Sequence, residues 1–150
     1  MTLVAVVALG SNLGDRHAHL EAGLGALEGL GAVTPSPLVM DTPDESGLGP
    51  DYLDTVARLE SPLDDPRRLL EELLRIELRL GRDRTAGRNA PRTLDLDLIR
   101  VDGWTGAWAW PTPEDLRVLG AQLTLDLPHP RAAGRDFVQE PLRRLEGLSG

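Results

Sequence analysis

The chain has no cysteine, which excludes disulfides and thiolate metal sites. Lysine is absent too, so all 16 basic residues are arginine, and they face 24 acidic ones for a net charge of −8. Broad binding to nucleic acid needs a basic face, so no nucleic-acid partner is expected. No apolar run approaches the ~18 residues of a membrane span, so no membrane partner is expected either. The opening "MTLVAVVALGSN" is apolar but lacks a basic leader and runs into Gly10. It reads as a strand rather than a signal peptide, and a cytoplasmic location follows by default. Aromatic residues are few: one Tyr, one Phe and three Trp. A length of 150 residues suits one domain with a real core and is too short for two, so residues 1–150 are expected to form a single, monomeric domain.

What is present has a clear order. Residues 2–9 are apolar at both parities, as in a central strand. "GSNLGDR" turns the chain, with Ser11, Asn12 and Asp15 as candidate caps for a helix carrying Leu20, Leu24 and Leu27. "AVTPSPLVMD" reads as a Pro-interrupted edge strand, and residues 42–50 as a loop. "DYLDTVARLES" is a strand with Leu53, Ala57 and Leu59 on one face and Tyr52, Asp54, Val56 and Arg58 on the other. Asp64 or Asp65, with Pro66 behind it, starts a second helix striped by Leu69, Leu73, Ile76 and Leu80, and Gly81 ends it. After a polar loop, "TLDLDLIRV" points Leu94, Leu96 and Leu98 one way and Thr93, Asp95, Asp97 and Ile99 the other. The stretch "DGWTGAWAWPTPEDLRVLGA" reads as irregular, "LTLDLPHPR" as a short strand and turn, and "RDFVQEPLRRLEGL" as leading into a final helix. The order βαββαβ predicts an α+β, ferredoxin-like, mainly antiparallel sheet with helices on one face. Tyr52, Asp54, Asp95 and Asp97 then project together from the opposite, open face.

Asp95 and Asp97 stand at i and i+2 of a strand, so their like charges are close. Such a pair repels unless a cation neutralises it. Two hard carboxylates without Cys or His beside them suit Mg²⁺ shared with substrate phosphates; a solvated strand face with arginine partners is the other reading. Arg82, Arg84, Arg88 and Arg92 crowd the loop just before them. Guanidinium groups bind phosphate bidentately and keep their charge, which together with Mg²⁺ points to phosphoryl-type transfer. Alone, the arginines read better as a solvated basic loop paired with acidic neighbours. "GSNLG" lacks the Walker spacing and is read as a turn. Tyr52 and Phe137 are either core filler or two rings that sandwich a planar heterocycle. Asp54 can accept from an amino-substituted ring, and His129 can contact phosphate, although a lone His is more often structural.

Taken together, "ALGSNLGDR", "DYLDTVARLES", "RIELRLGRDR", "APRTLDLDLI" and "LPHPRAAGRDFVQEPL" resemble, in order and over most of the chain, the 6-hydroxymethyl-7,8-dihydropterin pyrophosphokinase family of the folate pathway. The resemblance implies a ferredoxin-like fold and transfer of pyrophosphate from ATP to the pterin hydroxymethyl group, releasing AMP. It makes Asp95 and Asp97 the ligands of two Mg²⁺ ions. Arg82 and Arg92 become the arginines that engage the triphosphate and assist transfer, with Arg84 and Arg88 in the same loop. His129, Arg135 and Leu98 become further ATP contacts. Tyr52 and Phe137 stack on the pterin, Asp54 hydrogen-bonds it, and Thr42 and Pro43 begin a loop that closes over it.

Two positions depart from the family pattern. Asp54 stands where Asn is usual, which keeps an acceptor and loses a donor, and Asn89 stands where Trp is usual. The Trp104–Trp110 segment is longer than usual and offers a substitute aromatic cover. A non-catalytic pterin- or nucleotide-binding relative is the second reading. A small ferredoxin-like interaction module with a surface Mg²⁺ site is the third.

Overall fold

The computed structural model describes residues 2–43, 51–80 and 94–148. The first strand, β1 (Leu3–Ser11), is the centre of the sheet. It pairs antiparallel with β4 (Tyr52–Ser61) on one side and β5 (Asp95–Val101) on the other. The outer edge of β4 is shared by β2 (Ala32–Pro35) and β3 (Met40–Thr42). The sheet order is therefore β2/β3–β4–β1–β5, all antiparallel, as the ferredoxin-like expectation requires. "AVTPSPLVMD" is indeed an edge segment, split into two short strands around its second proline.

Helix α1 (Arg16–Glu28) starts where Asp15 accepts the Ala18 N–H at 3.1 Å. Helix α2 (Pro66–Arg79) starts where Asp65, rather than Asp64, accepts the Arg67 N–H at 2.9 Å. Leu80 ends α2; the predicted stop at Gly81 lies outside the described residues. Leu20 and Leu27 of α1 and Leu69, Leu73 and Ile76 of α2 meet Val7, Leu9, Leu59, Leu96 and Leu98 in the main core. Both helices thus cover one face of the sheet, as their stripes and the strand parities demand.

The third helix, α3 (Asp136–Gly147), adds a cover that the expectation of helices on one face did not include. Its Val138, Leu142 and Leu145 pack on Val6, Val56 and Ile99, the apolar residues of the opposite face. The alternation of β5 holds as far as Ile99. There an extra residue enters the pairing with β1, because Val7 faces Leu98 and Val6 faces Arg100. The bulge swaps the parity and turns Val101 back to the main core.

The segment read as irregular contains a strand, β6 (Gly106–Pro111), which pairs with β7 (Gln122–Leu127) as a separate ribbon. Trp104, Trp108 and Trp110 pack from this region against the main core, with the first two rings tilted at 58° and 6.2 Å apart. Trp110 Nε1 donates to the buried Glu71 Oε2 at 2.9 Å, and Arg75 of α2 pairs with Asp115 at 2.7 Å. The alternation Trp108–Trp110 is a period of two that small residues between the rings obscure. Trp110→Phe keeps the ring area and removes the donor from Glu71. A loss of about 1–3 kcal/mol is expected in urea unfolding at pH 7, and a change below about 0.5 kcal/mol would refute the clamp.

Candidate active site

The site is the part of the sheet face that α3 leaves uncovered. On this face β1 presents Val6, Ala8 and Gly10 in turn. Gly10 pairs with both Asp54 and Asp95, and Ala8 pairs with both Val56 and Asp97. Two small residues on the central strand thus form a floor, with larger groups rising on both flanks. The floor must stay small at Gly10, since a Cβ there would stand 2.6 Å from Asp54 Oδ1 and 3.4 Å from the Tyr52 ring. Helix α3 and its entry close the far end with Phe137, Arg135 and Ala132.

A cavity of about 650 Å³ opens over this floor, inside the range of small-molecule sites. Every described residue that the family resemblance assigns to the substrates or the metal lines it. Tyr52, Asp54, Thr42 and Pro43 line it from β4 and the adjoining edge segment, Asp95 and Asp97 from β5, and His129, Arg135 and Phe137 from the chain after β7. On the side of β5 away from β1 the lining continues to Leu70 and Leu74 of α2 and Leu125 of β7. Leu98 belongs to that lobe, although its side chain is also part of the main core. Arg82, Arg84, Arg88, Arg92 and Asn89 lie outside the described residues.

The polar groups are held by identifiable bonds. Asp54 is 8% exposed, and its Oδ2 accepts the Thr42 hydroxyl at 2.7 Å. Burial raises its pKa to about 6; the Thr42 hydrogen bond and Arg135 oppose this, while Asp95 and Asp97 reinforce it. His129 is tied to β5 through its N–H on the Ile99 carbonyl at 2.7 Å. Its Nδ1 accepts the Arg131 N–H at 3.2 Å, so in the neutral ring Nε2 carries the proton. Burial lowers the His129 pKa, and Arg135 and Arg131 add to that shift. The Arg135 guanidinium lies 5.4 Å from the centre of the Phe137 ring. That cation–π contact holds a planar charge beside a ring face.

Asp95 and Asp97 suit a hard cation. They are half-buried, i and i+2 on one strand face, and they open on the cavity. Among the described residues no three His, Asp or Glu stand together as a metal cage. An ion here would complete its shell with water and substrate oxygen, as Mg²⁺ does.

Two features escaped the sequence. Glu77 of α2 is 1% exposed and lines the cavity; the signal was a carboxylate four residues after Leu73, inside the apolar stripe. The tryptophans were assigned the wrong role. They pack against the main core, with Trp110 bonding Glu71 of α2, and none of them lines the cavity as the proposed aromatic cover would.

Comparison with known proteins gives the same picture. The model of the 7,8-dihydro-6-hydroxymethylpterin-pyrophosphokinase (HPPK) family matches residues 6–147. A 2-amino-4-hydroxy-6-hydroxymethyldihydropteridine pyrophosphokinase of Haemophilus influenzae is 41% identical over 100 residues, 65% of this chain and 61% of its own length. Its namesake in Pseudomonas aeruginosa is 36% identical over 93% of this chain and 78% of its own. That of Bacillus subtilis is 32% identical over 97% and 79%. With the fold, the acidic strand and the flanking rings in the expected order, the chain belongs to the 7,8-dihydro-6-hydroxymethylpterin-pyrophosphokinase family.

Proposed function

We propose that the protein transfers the terminal pyrophosphoryl group of ATP to the hydroxymethyl oxygen of 6-hydroxymethyl-7,8-dihydropterin, releasing AMP. The observation that carries this reading is one cavity lined together by an acidic pair, two aromatic rings and cationic groups. Tyr52 and Phe137 take the flat pterin between them. Thr42 and Asp54 meet its polar edge. The apolar lobe of Leu70, Leu74, Leu98 and Leu125 takes the adenosine end of ATP. The triphosphate then crosses the β5 edge toward Asp95 and Asp97.

Asp95 and Asp97 are the residues that would hold Mg²⁺, which when bound neutralises the phosphate oxygens and draws charge from the reacting phosphorus. Arg135 offers a fixed cation and neutral His129 offers its Nε2 proton to phosphate oxygens. By family resemblance Arg82 and Arg92 engage the triphosphate, with Arg84 and Arg88 beside them. The hydroxymethyl oxygen bonds to the β-phosphorus, the bond from that phosphorus to the AMP oxygen breaks, and the alcohol proton leaves to solvent. No strong general base is required when the walls hold the reactants in line.

The purified protein is incubated with the pterin, ATP and Mg²⁺, and products are followed by chromatography and mass. AMP and a pterin diphosphate are expected in equal amounts. ADP would mean transfer at the γ-phosphorus and would overturn the geometry. Pterin binding without turnover would favour a non-catalytic relative.

A further inference from the structure

Helix α2 carries a carboxylate where its apolar stripe would continue. Glu77 follows Ile76 and lies four residues after Leu73, with 1% of its surface exposed. Its Oε2 accepts the backbone N–H of Leu96 at 2.7 Å. Leu96 is the residue between Asp95 and Asp97. Within the sheet, among the described residues, β5 pairs with β1 alone. The Leu96 N–H is therefore on the free edge of the strand. Further along, the Ile99 carbonyl accepts the His129 N–H at 2.7 Å.

An edge strand held on one side is free to twist, and a twist of its peptide planes redirects the side chains on either side. The two edge bonds bracket Asp97 and remove that freedom. Burying a carboxylate is costly, and an apolar residue would fill the stripe better. Core packing therefore does not account for Glu77, whereas its hydrogen bond to the backbone of the acidic strand gives it a task there.

We propose that Glu77 is a positioning residue for the acidic strand: by holding the Leu96 N–H it sets the direction and spacing of the Asp95 and Asp97 carboxylates at the cavity. The functional consequence rests on the reading of those two residues as the Mg²⁺ ligands.

Two conservative variants separate reach from charge. Glu77→Gln keeps the length and an acceptor oxygen and loses the charge. Glu77→Asp keeps the charge and is one methylene short of Leu96. Two readouts are taken: hydrogen exchange of the Leu96 amide in ¹⁵N-labelled protein, and the dissociation constant of Mn²⁺ in the presence of a non-hydrolysable ATP analogue by electron paramagnetic resonance. Glu77→Gln is expected to keep the amide protected and the Mn²⁺ constant within about 3-fold. Glu77→Asp is expected to speed the exchange and weaken Mn²⁺, each by about 10-fold or more, the scale seen when a partner behind a metal ligand is lost. Glu77→Asp with unchanged exchange or unchanged Mn²⁺ affinity overturns the proposal. So does Glu77→Gln falling further than Glu77→Asp, which would make the charge itself the important feature. Wild-type protein that holds no Mn²⁺ overturns the metal reading, and the proposal with it. A failure of the proposal alone shows instead as normal Mn²⁺ binding in both the wild type and Glu77→Asp.

Discussion

Asp97→Ala is expected to lower kcat by at least about 10³-fold while the protein still folds, the scale of the several kcal/mol that a metal-held charge contributes to phosphoryl transfer. The side chain is half-buried on the cavity face and belongs to neither core cluster. Truncating it removes no apolar contact from the core. It also removes a like charge beside Asp95, so a stability change within about 1 kcal/mol is expected. AMP release at saturating substrates measures the first expectation, and thermal melting followed by circular dichroism measures the second. A variant with near-normal turnover would remove Asp97 from the metal site. A variant that fails to fold would make the aspartate a structural residue of β5.

The second large effect concerns Asp54. Its pKa is raised from 3.8 to about 6, chiefly because it is buried. For an acid shifted upward on folding, the folded state binds the proton more tightly than the unfolded chain. Its favourable contribution is complete below pH 3.8 and is lost as pH rises through 6. Over that window the loss amounts to about 3 kcal/mol, on a scale of 1.36 kcal/mol per pH unit. Asp54→Asn is neutral throughout and can still accept the Thr42 hydroxyl. It is therefore expected to be more stable than wild type at pH 8 by up to about 3 kcal/mol, with the gain closing by pH 4. Urea unfolding across that range tests the claim, and a gain independent of pH would refute it.

The same substitution bears on the ligand. The lactam edge of a pterin presents one donor and one acceptor. An ionised Asp54 can only accept, whereas a protonated one or an Asn does both. Pterin binding to Asp54→Asn at pH 8 is expected to be about 10-fold tighter than to wild type, the worth of one recovered hydrogen bond, with the two converging toward pH 5. Fluorescence titration of the pterin at several pH values reads this directly.

Local pattern carried much of this protein. The period-two alternation in "DYLDTVARLES" and "TLDLDLIRV" put Tyr52, Asp54, Asp95 and Asp97 on one face, and all four line the cavity. The stripe of α2 and its start at Asp64 or Asp65 before Pro66 were equally visible, because capping and amphipathic spacing are properties of a few neighbouring residues. Strand β6 was hidden because Gly, Ala and Pro dilute its alternation, and its strand character comes from pairing with β7, a segment more than ten residues away. Asn89 and the four loop arginines lie outside the described residues, so their parts rest on the sequence alone.

By itself, then, the sequence determined which side chains share a face, where the first two helices begin and which chemistry the acidic strand can support. These follow from backbone periodicity and from side-chain type, which need no distant partner. Tertiary structure alone decided the rest. The pairing register set Gly10 between Asp54 and Asp95. The docking of α3 covered part of the open face and left the rest as the site. The packing of α2 beside β5 brought Glu77 to the Leu96 N–H. Each of these joins residues far apart in the chain, and such contacts are fixed by how whole elements pack rather than by what any short stretch prefers.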